Sequence, residues 1–135
     1  MPESQFVPSV RFIAVAPRFS VPDVVKAAEY YRDVLGFEII GFLQDPPVLA
    51  LVSRDDVEIH FEKGEGRAGS GTPDRGSGPD AYIWVGEVDV LAGELRERGA
   101  RILEGPVDRE YGIREIVIQD PEGFRIAFGS QAGAE

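Results

Sequence analysis

Alternation of apolar and polar side chains predicts strands along much of this chain, and spacings of three and four between apolar residues predict helices. In the first half, a strand over 11–22 precedes a helix over 24–35, with Asp23 as a favourable N-cap and Gly36 as its stop. Three strand-like stretches follow in this half: FEIIGFL, VLALVSR and VEIHFE. The predicted order is therefore β-α-β-β-β.

The same order returns in the second half. AYIWVG predicts a strand, VDVLAGELRERG a helix, and ARILEG, REIVIQ and FRIAFG three more strands. When the halves are aligned, Asp23 matches Glu87, Gly36 matches Gly99, and VEIHF lies over FRIAF. This agreement predicts an internal duplication of one supersecondary unit.

One domain over 1–135 is expected, because a chain of 135 residues can form one substantial core. Module one spans 10–63, module two spans 80–129, and a glycine-rich connector over 64–79 separates them. The connector lacks the GxxxxGK[ST] pattern and leads into a strand, which excludes a phosphate-binding loop.

Composition excludes several classes of function. With 24 acidic and 14 basic residues, the net charge of −10 opposes binding to nucleic acid or to anionic membranes. Cysteine is absent from the sequence, which excludes disulfides, thiolate metal sites and a cysteine nucleophile. No apolar run reaches the roughly 18 residues of a membrane span, and the first residues do not resemble a signal peptide. We expect a cytoplasmic protein.

The only histidine, His60, lies in the stretch VEIHFE. Alternation places it on one strand face with Glu58, while the apolar residues of the stretch take the other face. Histidine beside a carboxylate on an open strand face is a common component of metal sites. The alternative is that His60 belongs to the polar wall of a pocket and is hydrogen-bonded to Glu58.

The sequence resembles the vicinal oxygen chelate superfamily, and within it the glyoxalase/bleomycin-resistance group. The resemblance is carried by VPDVVKAAEYYRDVLGFE, VEIHFE, WVGEVDVLAGELRERG and YGIREIVIQDPEGFRIAFG. It implies an α+β fold in which two tandem β-α-β-β-β modules form a cupped mixed sheet. It also implies a homodimer whose clefts combine modules of different chains. Members include metal-dependent enzymes and metal-free proteins that sequester drugs, so the site must decide the function.

Metal-dependent members place ligands on the cupped faces of the first and last strands of each module. By the repeat alignment these positions are Ala16, His60, Asp80 and Ala127. Alanine cannot coordinate a metal, whereas a catalytic divalent site normally has three protein ligands. A trio of His60, Asp80 and Glu115 remains open as an atypical metal site.

Aromatic and polar residues are predicted to line the cup instead. On DAYIWV, alternation places Asp80, Tyr82 and Trp84 on one face, and the alanines leave room beside them. The predicted ligand-binding residues are Glu58, His60, Asp80, Tyr82, Trp84, Glu115 and Arg125. Such a cleft suits a flat aromatic or cationic molecule. Packing at a dimer interface is the competing interpretation of Tyr82 and Trp84.

These observations predict a binding protein without a cofactor, which protects by sequestering an antibiotic-like compound. The alternative is a metal-dependent lyase, isomerase or dioxygenase that uses the atypical site. A metal-free lyase or isomerase with Glu115 or Asp80 as general base is a third interpretation.

Overall fold

A computed structural model describes residues 9–66 and 78–132. The described residues form two helices and eight strands, in the order β1 (Arg18–Val21), α1 (Val24–Asp33), β2 (Glu38–Leu43), β3 (Leu49–Arg54), β4 (Val57–Lys63), β5 (Ala81–Trp84), α2 (Val88–Glu97), β6 (Arg101–Asp108), β7 (Ile113–Gln119) and β8 (Arg125–Gln131). A strand, a helix and three strands thus occur twice, and the predicted α+β fold of tandem modules is confirmed.

Each module contributes one four-stranded mixed sheet. The strand orders are β1-β4-β3-β2 and β5-β8-β7-β6. The first strand of each module runs parallel to the last, and the remaining pairs are antiparallel. Arg18 pairs with His60 in the first sheet, and Tyr82 pairs with Ala127 in the second. The register therefore places His60 and Ala127 at equivalent positions, as in the repeat alignment.

Local sequence explains where helix α1 begins. The Asp23 carboxylate accepts the backbone N–H groups of Val25 and Lys26, both at 3.0 Å, which satisfies free donors of the first turn. The buried face of α1 carries Val24, Ala28 and Tyr31. In α2 the N-cap residue Glu87 makes no capping bond through its side chain. Neither described helix has the length and apolar character needed to cross a membrane.

The two modules pack against each other through a shared core. Buried residues of both modules form one apolar cluster, in which the rings of Phe19 and Phe124 stack with centroids 4.3 Å apart. Beside the core, Arg54 of β3 forms two hydrogen bonds with Glu94 of α2, each 2.9 Å long. This bidentate ion pair adds a directional contact between the modules.

The predicted strand over 11–22 is wrong in its first part, since β1 begins only at Arg18. Residues 9–17 adopt no regular structure, although the Pro17 carbonyl accepts the N–H of His60 at 2.9 Å. Alternation alone produced the prediction, but a strand also needs a partner, and proline lacks a donor. Ala16, a predicted ligand position, therefore lies outside a strand. Phe12 is 93% exposed.

Two element boundaries also differ from prediction. Helix α1 ends at Asp33 rather than at residue 35, and β6 continues to Asp108, beyond the predicted stretch ARILEG. Residues 67–77 of the predicted connector lie outside the described residues.

Candidate ligand-binding site

Each sheet has one face against the core and one open face. Along β5, Ala81 and Ile83 pack against the core, whereas Tyr82 and Trp84 are 38% and 64% exposed. This alternation agrees with the faces predicted for DAYIWV. We call the surface formed by Tyr82, Trp84, Glu115 and Ala127 the open face of the second sheet.

Glu115 is the central polar group of this open face. It is only 4% exposed, yet its carboxylate accepts three hydrogen bonds. Oε2 accepts from the hydroxyls of Tyr82 at 2.6 Å and Tyr111 at 2.8 Å, and Oε1 accepts from Arg109 Nε at 2.7 Å. Desolvation raises the pKa of Glu115, but the bonds from Tyr82, Arg109 and Tyr111 outweigh it and hold the pKa below its ordinary value. Glu115 is thus a stable anion, and it is poorly suited to act as a general base.

Gly129 makes room for the Tyr82 hydroxyl. A Cβ at this position would collide with the Tyr82 hydroxyl oxygen, so only glycine allows Tyr82 to reach Glu115. Burial and the bond to Glu115 raise the pKa of Tyr82 well above its ordinary value, which keeps the phenol protonated as a donor. Its ring lies 5.1 Å from the ring of Trp84, at an angle of 53°. The two rings therefore form an orientated aromatic pair.

Arg109 and Tyr111 complete the cluster, and sequence reasoning missed both. Both residues lie in the connection between β6 and β7, where the alternation of strand residues predicts no side-chain direction. Arg109 also bonds to Glu104 at 2.5 Å, and its bonds to Glu115 and Glu104 raise its pKa. The only available signal was Tyr111 in the stretch YGIRE, four residues before the buried carboxylate.

The open face of the first sheet carries polar groups beside leucines, since Leu51 pairs with His60 and Leu49 with Glu62. His60 Nε2 lies 2.5 Å from Glu58 Oε2, which is the pairing predicted for a polar pocket wall. On neighbouring strands Arg18 forms an ion pair with Glu62 at 3.6 Å. This face offers hydrogen-bonding groups but no aromatic ring.

Asp80 ties the edge of the second sheet together. Its Oδ2 accepts the backbone N–H of Arg125 at 2.9 Å, and its own N–H donates to the carbonyl of Arg125 at 2.8 Å. These bonds fix the start of β5 against β8. Arg125 is half-buried at the same edge.

The residues proposed for an atypical metal site are not assembled within the described chain. Among residues 9–66 and 78–132, no group of three or more His, Asp or Glu side chains is placed to hold a metal. His60 lies in the first sheet and bonds to Glu58, whereas Asp80 and Glu115 lie in the second sheet with other partners. The donor set of one chain therefore does not fit a divalent site.

A depression of about 380 Å³ lies where β4 and β5 approach each other. Glu58, Tyr82 and Trp84 line it, together with residues of the segment before β1. The structure therefore brings Glu58 to the aromatic pair. The volume of this depression falls within the range of ligand pockets.

Comparisons with known proteins agree with this architecture. The chain is 28% identical over 107 residues to the virulence protein STM3117 of Salmonella typhimurium, an alignment that covers 77% of this chain and 74% of the relative. The bleomycin-binding protein of Streptomyces verticillus, solved with copper(II)-bleomycin, is 25% identical with a TM-score of 0.62, covering 93% of this chain and 99% of that one. TioX from Micromonospora sp. ML1 is 19% identical with a TM-score of 0.67, covering 86% and 97%. A family profile matches residues 13–128. The chain belongs to the glyoxalase/bleomycin resistance protein/dioxygenase superfamily.

Proposed function

We propose that the protein is a metal-free binding protein of the cytoplasm, which sequesters an aromatic, antibiotic-like compound on its open faces. The observation that carries this proposal is the pair of Tyr82 and Trp84, in which the buried carboxylate of Glu115 holds Tyr82 in place beside the indole. Rings fixed before binding lose little conformational entropy when a ligand stacks on them. Each favourable ring contact contributes about 0.5–1.5 kcal/mol beyond area burial.

The hydrogen-bonding pattern favours an aromatic ligand over a cationic one at this site. Three carboxylates of the open faces already have partners: Glu58 bonds to His60, Glu62 to Arg18, and Glu115 to Arg109 and two tyrosines. A cationic ligand would have to displace these donors. Ring stacking on Trp84, which is 64% exposed, requires no such displacement.

A homodimer forms part of the proposal, because the segment before β1 exposes large apolar side chains. Val10, Phe12, Ile13 and Val15 are between 74% and 93% exposed. Contiguous exposed apolar surface is typical of an interaction site. A second copy of the chain would cover this segment and bring the polar face of one copy opposite the aromatic pair of the other.

Isothermal titration against a panel of glycopeptide and polycyclic antibiotics, including copper(II)-bleomycin, tests sequestration. We expect at least one saturable ligand, whose affinity falls about tenfold or more in Trp84→Leu, because stacking surface is lost. The control is Phe42→Leu, which removes an exposed ring on β2 in the other sheet and leaves the affinity unchanged. Absence of binding across the panel, or equal losses in both variants, contradicts the proposal.

Mixing two defective variants tests whether each cleft combines two chains. His60→Ala changes the first sheet, and Trp84→Leu changes the second. In a mixed dimer with shared clefts, one cleft carries both changes and the other carries neither. Mixed dimers isolated after subunit exchange should therefore bind ligand with half the wild-type stoichiometry. If each cleft is built within one chain, no intact cleft forms and binding stays at the level of the single variants.

A further inference from the structure

A second cavity lies on the other side of β5, between the two modules. It measures about 490 Å³, and its lining comes from the β3–β4 turn of module one and from β5 and α2 of module two. We call it the inter-module groove. Its floor is apolar, with Val57, Ile83, Val85 and Leu91 in contact with the core. Trp84 at its edge also lines the depression beside the open faces.

The rim of the groove is acidic, and the nearby Arg54 guanidinium offsets part of its charge through its attraction to Asp55. Asp55, Asp56 and Glu87 line the groove, and among the described residues no cation forms an ion pair with them. The neighbouring Arg54 is engaged by Glu94 in a bidentate pair. The rim therefore carries a net negative charge above an apolar floor, because its carboxylates outnumber the single guanidinium of Arg54.

The two aspartates contribute more to this charge than Glu87 does. Glu87 is the N-cap residue of α2, so its carboxylate faces the positive end of the helix dipole. Asp55 and Asp56 form the tight turn between β3 and β4, and neither of them caps the start of a helix. A cation near this turn would be attracted through a medium that the apolar floor partly shields from water.

We propose that the inter-module groove binds a small organic cation with an apolar body, such as a benzyl-substituted quaternary ammonium, beside the depression of the open faces, with which it shares Asp56 and Trp84. The apolar part contacts Val57, Ile83 and Leu91 on the floor. The charged head lies beside Asp55 and Asp56 and within reach of the Trp84 indole, which attracts cations through its ring face. The class of ligand follows from an apolar floor and a rim of net negative charge in one cavity.

The probe for this proposal is benzyltrimethylammonium, with benzylsulfonate as an anion of similar size. Trp84 is the only tryptophan of the chain, so its fluorescence reports binding without a label. Methyl NMR of Val90 and Leu91 in the groove, compared with Val117 on the open face, locates the bound probe. We expect saturable quenching by the cation, methyl shifts confined to the groove residues, and weaker binding at high salt.

The double variant Asp55→Asn/Asp56→Asn removes the charge of both rim aspartates while it preserves the turn. Asp55 has a φ of 52°, and asparagine tolerates this left-handed region at least as well as aspartate. We expect the affinity for benzyltrimethylammonium to fall roughly fivefold, which corresponds to two partly exposed charge interactions. Glu29→Gln/Glu38→Gln is the control, because it changes net charge equally at exposed positions outside the groove.

A second variant tests the site without removing a carboxylate. Val90→Arg places a guanidinium at the groove edge, on a helix position that is 64% exposed and where arginine is a better helix former than valine. It should abolish cation binding while the thermal unfolding midpoint is retained. The proposal is overturned if benzylsulfonate binds equally, if both double variants lose affinity to the same extent, or if only Val117 shifts.

Discussion

Asp120 joins the two modules through a buried carboxylate, and its ionisation should reduce the stability of the fold. It lies in the turn between β7 and β8 and is 6% exposed. Oδ2 accepts the Tyr31 hydroxyl of α1 at 2.8 Å, and Oδ1 accepts the N–H groups of Glu122 and Phe124, both at 2.9 Å. The contact with Tyr31 lies in the same shared core as the stacked rings of Phe19 and Phe124.

Burial raises the pKa of Asp120 to about 6, although the bond from Tyr31 and two backbone N–H groups oppose the shift. The folded state therefore binds more protons than the unfolded state between about pH 4 and 6, and the free energy of unfolding falls as pH rises through this window. The change from 3.8 to about 6 corresponds to about 3 kcal/mol once the group is ionised in both states.

Asp120→Asn removes this cost. The amide oxygen can still accept the two backbone N–H groups, and the amide nitrogen can donate to the Tyr31 hydroxyl, so the contact is kept with its direction reversed. We expect the variant to unfold with a free energy higher by about 1–3 kcal/mol at pH 8.5. The advantage over wild type should be smaller at pH 5.5 by about 1 kcal/mol, because wild-type Asp120 is then mostly protonated.

Urea unfolding at several pH values between 5.5 and 8.5 measures the difference in free energy of unfolding between the variant and wild type. The other titrating groups are common to both proteins, so the pH dependence of this difference reports on Asp120. A ¹³C NMR titration of the Asp120 carboxyl gives the pKa directly. A midpoint below 4.5, or a variant less stable than wild type at pH 8.5, would show that the ionised carboxylate is favourable and refute the argument.

Three further outcomes follow from the site and the module interface. Gly129→Ala should displace Tyr82 and lower the affinity for the sequestered ligand in calorimetry, whereas Gly93→Ala, in open space on α2, should raise stability by about 0.5–1 kcal/mol. Protein purified without chelators should contain less than about 0.1 divalent ion per chain by elemental analysis, unchanged in His60→Ala, because the donor set is incomplete. Arg54→Met should lower the free energy of unfolding by about 1 kcal/mol in urea titrations, since a half-exposed bidentate pair between modules is lost.

The sequence predicted those parts of the fold in which local and periodic signals agree. Asp23 is both a favoured capping residue and the start of an apolar periodicity, and it caps α1 as expected. The repeat alignment placed His60 and Ala127 at equivalent positions, which the strand register reproduces. Where only alternation was available, as over 11–17, the prediction failed, because pairing between strands is a tertiary property.

The aromatic face was predicted, but the network that orients it was not. Alternation located Tyr82, Trp84 and Glu115 on one face, since all three lie within regular strands. Arg109 and Tyr111 reach Glu115 from a connection where side-chain direction follows the path of the backbone and no period applies. Two register shifts between β6 and β7 precede this connection, and their positions are not readable from residue types.

The open faces of the two modules carry different side chains. Together they restrict the chemical class of the ligand more than either face does alone. At equivalent register positions the first sheet has Arg18 and His60, whereas the second has Tyr82 and Ala127. One wall therefore offers donors and acceptors, and the other offers a ring beside free space. A purely apolar ligand would bury the polar pair of Glu58 and His60 without replacing its contact with water, which costs free energy. A purely polar ligand would gain nothing from the rings. The ligand that satisfies both walls of the proposed cleft is flat and aromatic on one side, with hydrogen-bonding groups along the opposite edge.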